Sequence, residues 1–259
     1  MQNKIIKEQF NKQAEKFASW SVSKNQAYLQ GYFDFCDIRP ADRLLDVACG
    51  PGDFTIFTAK KVLKAQGVDI SDKELEIANR LAKEFGLDNA GFDCADVENL
   101  PYEDNSFSIV VCKSSFHHFT RPNSVFKEMI RCCEIGGKIS INDIAAYEDK
   151  YVNDFFETFD RLVDISHNKT LSEQEFNKLY LDNKIKKTGD FRISVDLNIK
   201  EYIEHARQNT KNKIKIRKLL NEGINDNRLS DFLFTQNGEL YFKRPVYLII
   251  GKKCQIKSI

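Results

Sequence analysis

No charge of either sign dominates this chain: 39 Lys and Arg stand against 38 Asp and Glu, a formal net charge of +1 over 259 residues. A protein held on phosphate backbones carries a basic excess, so this balance gives no support to a nucleic-acid partner. Also missing is any C-x-x-C pair. The seven cysteines, Cys36, Cys49, Cys94, Cys112, Cys132, Cys133 and Cys254, are odd in number and scattered, which excludes a regular disulfide framework and fits a reducing cytoplasm. The first residues, MQNKIIKEQFNKQAEKF, are amphipathic and charged with no apolar signal core. No later stretch approaches the roughly 20 apolar residues of a membrane span. Internal repeats and low-complexity segments are absent too. What remains is the expectation of a cytoplasmic globular chain with 42% hydrophobic and 30% charged residues, long enough to bury a sizeable core.

Apolar residues at Ile5, Ile6, Phe10 and Phe17, then at Tyr28, Leu29, Tyr32 and Phe33, recur at helical spacing, and Pro40 ends this first region, residues 1–38. From Arg43 to about Ala146, short apolar runs alternate with helical patterns, which predicts repeated βαβ units and a mostly parallel sheet. Strands are expected at 43–48, 65–70, 90–94, 108–112 and 138–144. The helices between them fall at 54–64, 72–85 and 123–133, the last closed by Gly136-Gly137 as a left-handed cap. Residues 39–146 thus form an α/β core. The remainder, 147–259, reads as helices at 151–164, 172–182 and 199–221 inserted among strands at 186–198 and 239–251, completing one structural domain.

The informative stretch is Leu44-Leu45-Asp46-Val47-Ala48-Cys49-Gly50-Pro51-Gly52-Asp53-Phe54, a strand that runs through a glycine turn into a helix. Gly50 and Gly52 let the backbone pass close to a ligand at the C-terminal edge of the sheet. A dinucleotide fingerprint needs a third glycine where Thr55 stands, and Asp46 disfavours a pyrophosphate. An amino-acid ammonium suits Asp46 better, through a charge-assisted hydrogen bond. Asp69, at the end of the second strand, is placed to accept the hydroxyls of a ribose. Asp96, after the third, can accept from an exocyclic adenine amine, with Ile70 and Val97 as apolar walls. The summed ligand is an amino acid joined to adenosine.

These segments resemble class I S-adenosylmethionine-dependent methyltransferases, specifically the ubiquinone/menaquinone-type branch that contains many small-molecule enzymes. The similarity is carried by LLDVACGPGDFT, GVDIS, CADVENLPYEDNSFSIV, SSFHHF and VFKEMIRCCEIGGKISINDI, over about residues 43–145. It implies a Rossmann-like α/β fold with a seven-stranded, mostly parallel sheet, an antiparallel last strand and helical insertions. It also implies S-adenosylmethionine as cofactor, S-adenosylhomocysteine as product, and no metal. Carried over by position, Asp46, Gly50 and Gly52 become methionine-side contacts, Asp69 the ribose acid and Asp96 the adenine contact, and Ala48, Cys49, Ile70, Val97 and Lys113 complete the expected cofactor-binding set. Two positions depart from the family: Ser108 stands for its usual Asp, and Ile135 for its usual Pro. Both changes read as structural.

Methyl transfer from a sulfonium is an in-line displacement, so alignment and exclusion of water are the main tasks. Should the acceptor need deprotonation, His118 and then His117 are the candidate catalytic bases, just past the fourth strand. Lys113, at that strand's end, reaches either the methionine carboxylate or the substrate, or is simply solvated. The first helices, with Phe17, Trp20, Tyr28 and Tyr32, resemble the family's lid, although core packing explains most of those aromatics. Phe155, Phe156, Phe159 and Leu162 suggest either an apolar substrate wall or a helix packing stripe. Cys132-Cys133 reads as buried filler, and Lys211 to Lys218 as a solvated helix face. Asn142-Asp143 ends a strand without a second acidic pair, which argues against a catalytic Mg²⁺.

The expected acceptor is a small, partly apolar molecule methylated on oxygen or carbon. No Asn/Asp-Pro-Pro-aromatic element for a flipped base follows the fourth strand, which leaves nucleic-acid methylation the weaker alternative. From a different class stands a catalytically silent protein that binds the cofactor as a sensor or assembly partner. A nicotinamide dehydrogenase is the third reading.

Overall fold

The computed structural model describes residues 2–20, 25–206 and 208–255. Two helices lead, α1 (Gln2–Ala18) and α2 (Gln26–Phe35). The core follows as β1 (Arg43–Val47), α3 (Asp53–Ala59), β2 (Lys64–Asp69), α4 (Asp72–Glu84), β3 (Ala90–Cys94), β4 (Phe107–Lys113), α5 (Pro122–Cys132) and β5 (Cys133–Ile144). Then come α6 (Lys150–Val163), α7 (Glu173–Asp182), β6 (Lys186–Asn198), α8 (Ile199–His205), α9 (Thr210–Ile224), β7 (Leu233–Gln236) and β8 (Glu239–Lys252). The strands form one eight-stranded sheet in the order β3-β2-β1-β4-β5-β8-β6, with β7 paired to β8. Strands β1 to β5 run parallel, and β8 lies antiparallel between β5 and β6.

Side chains along the central strands alternate between two covered faces, as the strand period demands. Leu45, Val110, Cys112, Tyr247 and Ile249 pack with Phe126 and Met129 of α5 and Phe176 and Tyr180 of α7. Their neighbours Leu44, Ile109, Val111, Val246 and Leu248 turn the other way, onto Leu29 and Tyr32 of α2 and Phe54 and Phe57 of α3. A separate cluster joins α6 to α9 and the base of β8, through Phe156, Phe159, Ile216, Leu220 and Phe242. The Phe155 to Leu162 row belongs to this cluster and is a packing stripe, not an acceptor wall.

Four expectations need correction. Gly136-Gly137 does not cap a helix: α5 stops at Cys132, and the glycines lie within β5, where Gly136 has φ +84 and the pairing with β4 shifts register. A Cβ on Gly137 would come within 2.8 Å of the Ser108 carbonyl oxygen, so close strand approach requires glycine there. The helix read as 54–64 ends at Ala59, because Lys64 already pairs with Arg43 in the sheet. The helix read as 199–221 is two, since Asn209 caps a fresh start by accepting from the Asn212 amide. The sheet has eight strands rather than seven, the addition being the four-residue β7 that hairpins onto β8.

The Ser108 departure has a local account. Its hydroxyl accepts from the Arg43 amide at 2.9 Å and donates to Asp42 at 2.7 Å, tying β4 to the start of β1. Ile135 is an exposed bulge residue. Cys132 and Cys133 are both fully buried.

Candidate active site

Two adjoining cavities open at the C-terminal ends of β1, β2 and β4, where a parallel sheet leaves its strand ends free. The first, about 830 Å³ with its open mouth, is walled by Asp46, Ala48, Cys49, Gly50, Asp69, Ile70, Asp96, Val97, Lys113 and His118. Ten of the twelve positions singled out in the sequence therefore meet on one wall. Gly52 stands behind that wall: it has φ +81, starts α3, and a Cβ there would sit 2.8 Å from the Phe92 ring. His117 faces the second cavity.

The strand-end acids differ in their surroundings. Asp46 is buried and accepts from the Thr55 hydroxyl at 2.7 Å, so the residue in the third-glycine position serves the acid. Burial pushes its carboxyl up to about 6, opposed by that hydrogen bond and by the Lys113 charge. Asp69 accepts from the Gly50 amide at 2.9 Å and the Ser71 amide at 2.8 Å, which fixes the glycine turn onto the end of β2. Asp96 accepts from the Glu98 amide at 3.0 Å and from the Asn3 carboxamide of α1 at 2.6 Å. Ala48 and Ser114 both adopt left-handed backbone, φ +56, where β1 and β4 leave the sheet. Such geometry costs about 1–3 kcal/mol each and recurs at ligand sites.

Helix α1 closes this cavity from above. Lys7 pairs with Asp72 at 2.7 Å, Asn11 accepts from the Ser71 hydroxyl at 2.7 Å, and Phe10 meets the His118 ring edge-on at 5.1 Å. Phe17 and Trp20 reach on to the second cavity, where Trp20 stacks on His205 with 4.5 Å between ring centres.

All four histidines of the chain, His117, His118, His167 and His205, line that second cavity. Each of the first three is bound to a carboxylate directly or through a serine. The His117 ring Nδ1 donates to Asp143 at 2.7 Å, and Asp143 also accepts from the His117 amide. Burial opposes the charged imidazolium, but the Asp143 carboxylate outweighs it and the His117 pKa is raised. Ser166 donates its hydroxyl proton to Asp164 at 2.5 Å, so its oxygen accepts from His118 Nδ1 at 3.2 Å. Burial and the neighbouring His117 lower His118 to about 3, which keeps it neutral. His167 lies 3.3 Å from Glu157. Burial lowers His205 to about 4.

Deeper in the second cavity, Arg244 of β8 binds Asp160 of α6 at 2.6 Å, with side chains 1% and 2% exposed. Tyr202 also donates to Asp160, at 2.9 Å, and the rings of Tyr147, Phe156, Tyr202 and Phe242 surround the guanidinium. The Asp143 contact, the Arg244–Asp160 pair and the α1 polar contacts are not evident from sequence spacing. Glu74 was missed as well: its carboxyl lies on the first cavity's wall, fully buried. A readable sign was its position on the inward stripe of α4 with Ile77 and Ala78.

A family profile described as a methyltransferase domain matches residues 38–188, more than half of the chain. The chain belongs to the methyltransferase domain family. The enzyme is a S-adenosylmethionine-dependent methyltransferase of the small-molecule branch. It is similar to an uncharacterized methyltransferase, YcgJ, of Bacillus subtilis, 28% identical over 68% of this chain and 70% of the relative. The crystal structure of YcgJ superposes with a TM-score of 0.81 at 25% identity, covering 90% of this methyltransferase and all of that chain. The 27-O-demethylrifamycin SV methyltransferase of Amycolatopsis mediterranei is 37% identical over 41% of this chain and 40% of its own. A demethylmenaquinone methyltransferase of Bacillus cytotoxicus is 29% identical over 46% and 52%. The last two matches thus span about half, or less, of each relative.

The cavity fits the cofactor of this methyltransferase family. Its wall carries five acidic side chains, Asp46, Asp53, Asp69, Glu74 and Asp96, as acceptors for ammonium, hydroxyl and amine donors, and a glycine turn whose Cβ position lies 3.2 Å from the Glu74 carboxyl. Among the described residues no group of three or more His, Cys, Asp or Glu side chains is arranged to hold a metal ion, and no helix is long and apolar enough to cross a membrane.

Proposed function

We propose that the methyltransferase acts on a small, partly apolar acceptor bearing an ionisable hydroxyl or activated carbon, with His117 as the general base. The observation that carries this is the His117–Asp143 pair facing the second cavity beside the cofactor cavity. In this reading residues 1–38 form the lid, 39–146 hold the cofactor and 147–259 shape the acceptor chamber.

S-adenosylmethionine supplies a methyl group on a sulfonium. Asp46 holds the ammonium, Asp69 the ribose and Asp96 the adenine amine, with Ile70 and Val97 against the ring; Ala48, Cys49, Gly50 and Lys113 line the methionine side. With Nδ1–H committed to Asp143, neutral His117 presents the Nε2 lone pair, which takes the acceptor proton as the methyl–oxygen or methyl–carbon bond forms. The departing sulfur keeps the electron pair of the broken bond. Asp143 then stabilises the imidazolium. His118, held neutral between the two cavities, is a positioning contact rather than the base, a reversal of the order suggested by sequence. Phe10, Phe17 and Trp20 exclude water over both cavities.

Support for the acceptor class comes from the chamber, where Trp20, Tyr28, Tyr202, Ile144, Leu197 and Val246 mix rings and aliphatics with the polar groups. Two relatives named for 27-O-demethylrifamycin SV and demethylmenaquinone are of the same kind. The test is incubation of methyl-labelled S-adenosylmethionine with a fractionated metabolite extract. Label in a small organic fraction, lost in His117→Gln, is the expected result. Cofactor binding with no labelled product would favour a silent sensor, and label in nucleic acid would overturn the acceptor class.

A further inference from the structure

Of the acids on the cofactor wall, Asp53 and Glu74 have no assigned task, and of these two Glu74 is the buried one. It sits in the first turn of α4, 1% exposed, with Oε2 facing Gly50 and Oε1 bonded to nothing among the described residues. A bare buried carboxylate is expensive unless something satisfies it. The charged groups that act on it most are acids. Asp69 approaches from the end of β2, Asp53 from the start of α3, Asp164 from the end of α6, the Cys49 thiol from the glycine turn, and the Phe17 ring from α1. Burial, and then those like charges, raise its pKa well above the ordinary glutamate value and so favour the protonated carboxyl.

The cofactor and its product differ at one atom. Both carry an ammonium and a carboxylate, but only the donor carries a sulfonium, for a net charge of +1 against zero. We propose that Glu74 is a specificity-determining residue of the cofactor pocket, favouring the charged donor over its neutral-sulfur product by ionising when the donor binds. The proton leaves to solvent on donor binding. Once methyl transfer has neutralised the sulfur, the carboxylate loses its countercharge and takes a proton back, which weakens the hold on the product. Asp46 also titrates in this pocket, but it meets the ammonium that both ligands share, so its contribution cancels between them.

The inference rests on S-adenosylmethionine being the ligand, and calorimetry of the intact protein separates the two ideas. Titrations with S-adenosylmethionine and with S-adenosylhomocysteine, each in two buffers of different ionisation enthalpy at neutral pH, count the protons released. The expected result is up to one more proton released with the donor than with the product. In Glu74→Gln that difference disappears, and the preference for donor over product falls by about tenfold, the effect of one pKa unit. Equal proton counts in the wild-type protein would overturn the proposal whether or not the variant folds. A folded Glu74→Gln that keeps the wild-type preference would overturn it as well. Failure of both ligands to bind would remove it together with the cofactor reading.

Discussion

The two cavities are built on different principles. The first is made chiefly by backbone: strand ends, a glycine turn and two left-handed residues bring Asp46, Asp69 and Asp96 to one wall over fifty-odd residues of chain. The second is made by side chains drawn from distant elements, with His117 after β4, Asp160 on α6, His205 on α8 and Arg244 on β8. The contrast is between a wall set by local backbone and a chamber set by pairs of distant side chains.

If that division holds, perturbing the chamber's pairs and perturbing the glycine turn will have separable effects. The largest expected effect is on Arg244→Met, which strands Asp160 in the interior and costs about 3–5 kcal/mol in chemical denaturation. Adding Asp160→Leu should recover most of the loss, because the uncompensated charge is gone. A single variant as stable as wild type would mean the pair is solvated, and the chamber more open than described.

Next, His117→Gln should lower kcat by about a hundredfold, within the usual range for a general base, while S-adenosylhomocysteine affinity is unchanged by calorimetry. The pH profile carries the sign. His117 acts as a base only when neutral and its pKa is raised, so activity climbs as pH passes above the ordinary histidine value. Asp143→Asn should move that rise to lower pH, since the charge that holds the imidazolium is removed. A profile unmoved by Asp143→Asn would put the base elsewhere.

Gly52→Ala tests the first cavity. A side chain at φ +81, pressed against Phe92, should cost about 2 kcal/mol, read as a lower melting temperature. The smallest effect is a gain: Asn3→Ala frees the Asp96 oxygen that α1 now occupies and should tighten S-adenosylhomocysteine by about two- to tenfold, the worth of one net hydrogen bond. Weaker binding instead would make Asn3 a partner of the cofactor rather than its competitor.

The same division explains what could be read before the structure. That Asp46, Gly50 and Asp69 meet on one cavity wall was legible because they are local in the sequence. Asp46 and Gly50 are four residues apart on one strand and turn, and Asp69 ends the next strand. Strand 186–198 was placed to the residue, although its pairing with β8 shifts register between Lys187 and Gly189. Asp143 was visible as a strand-end acid, but not its partner, because the His117 contact depends on the parallel register of β4 and β5. Arg244 and Asp160 are separated by 84 residues, and nothing in the spacing of either announces the other. The missed β7 is four residues long and is held by its hairpin with β8, not by its own propensity. Gly136-Gly137 was misread because a bulge and a helix cap want the same left-handed glycine.

The antiparallel insertion of β8 between β5 and β6 has a consequence for the order of events during synthesis. Ser140 on β5 donates to the Ile249 carbonyl, 109 residues later, and Arg244 and Val246 of the same late strand line the acceptor chamber. The cofactor wall is therefore translated well before the strand that finishes the chamber. A nascent chain emerging from the ribosome can assemble β1 to β4 and their acids, while β5 waits with an unpaired edge for a strand not yet made. Methyl transfer thus waits on a strand made long after the cofactor wall.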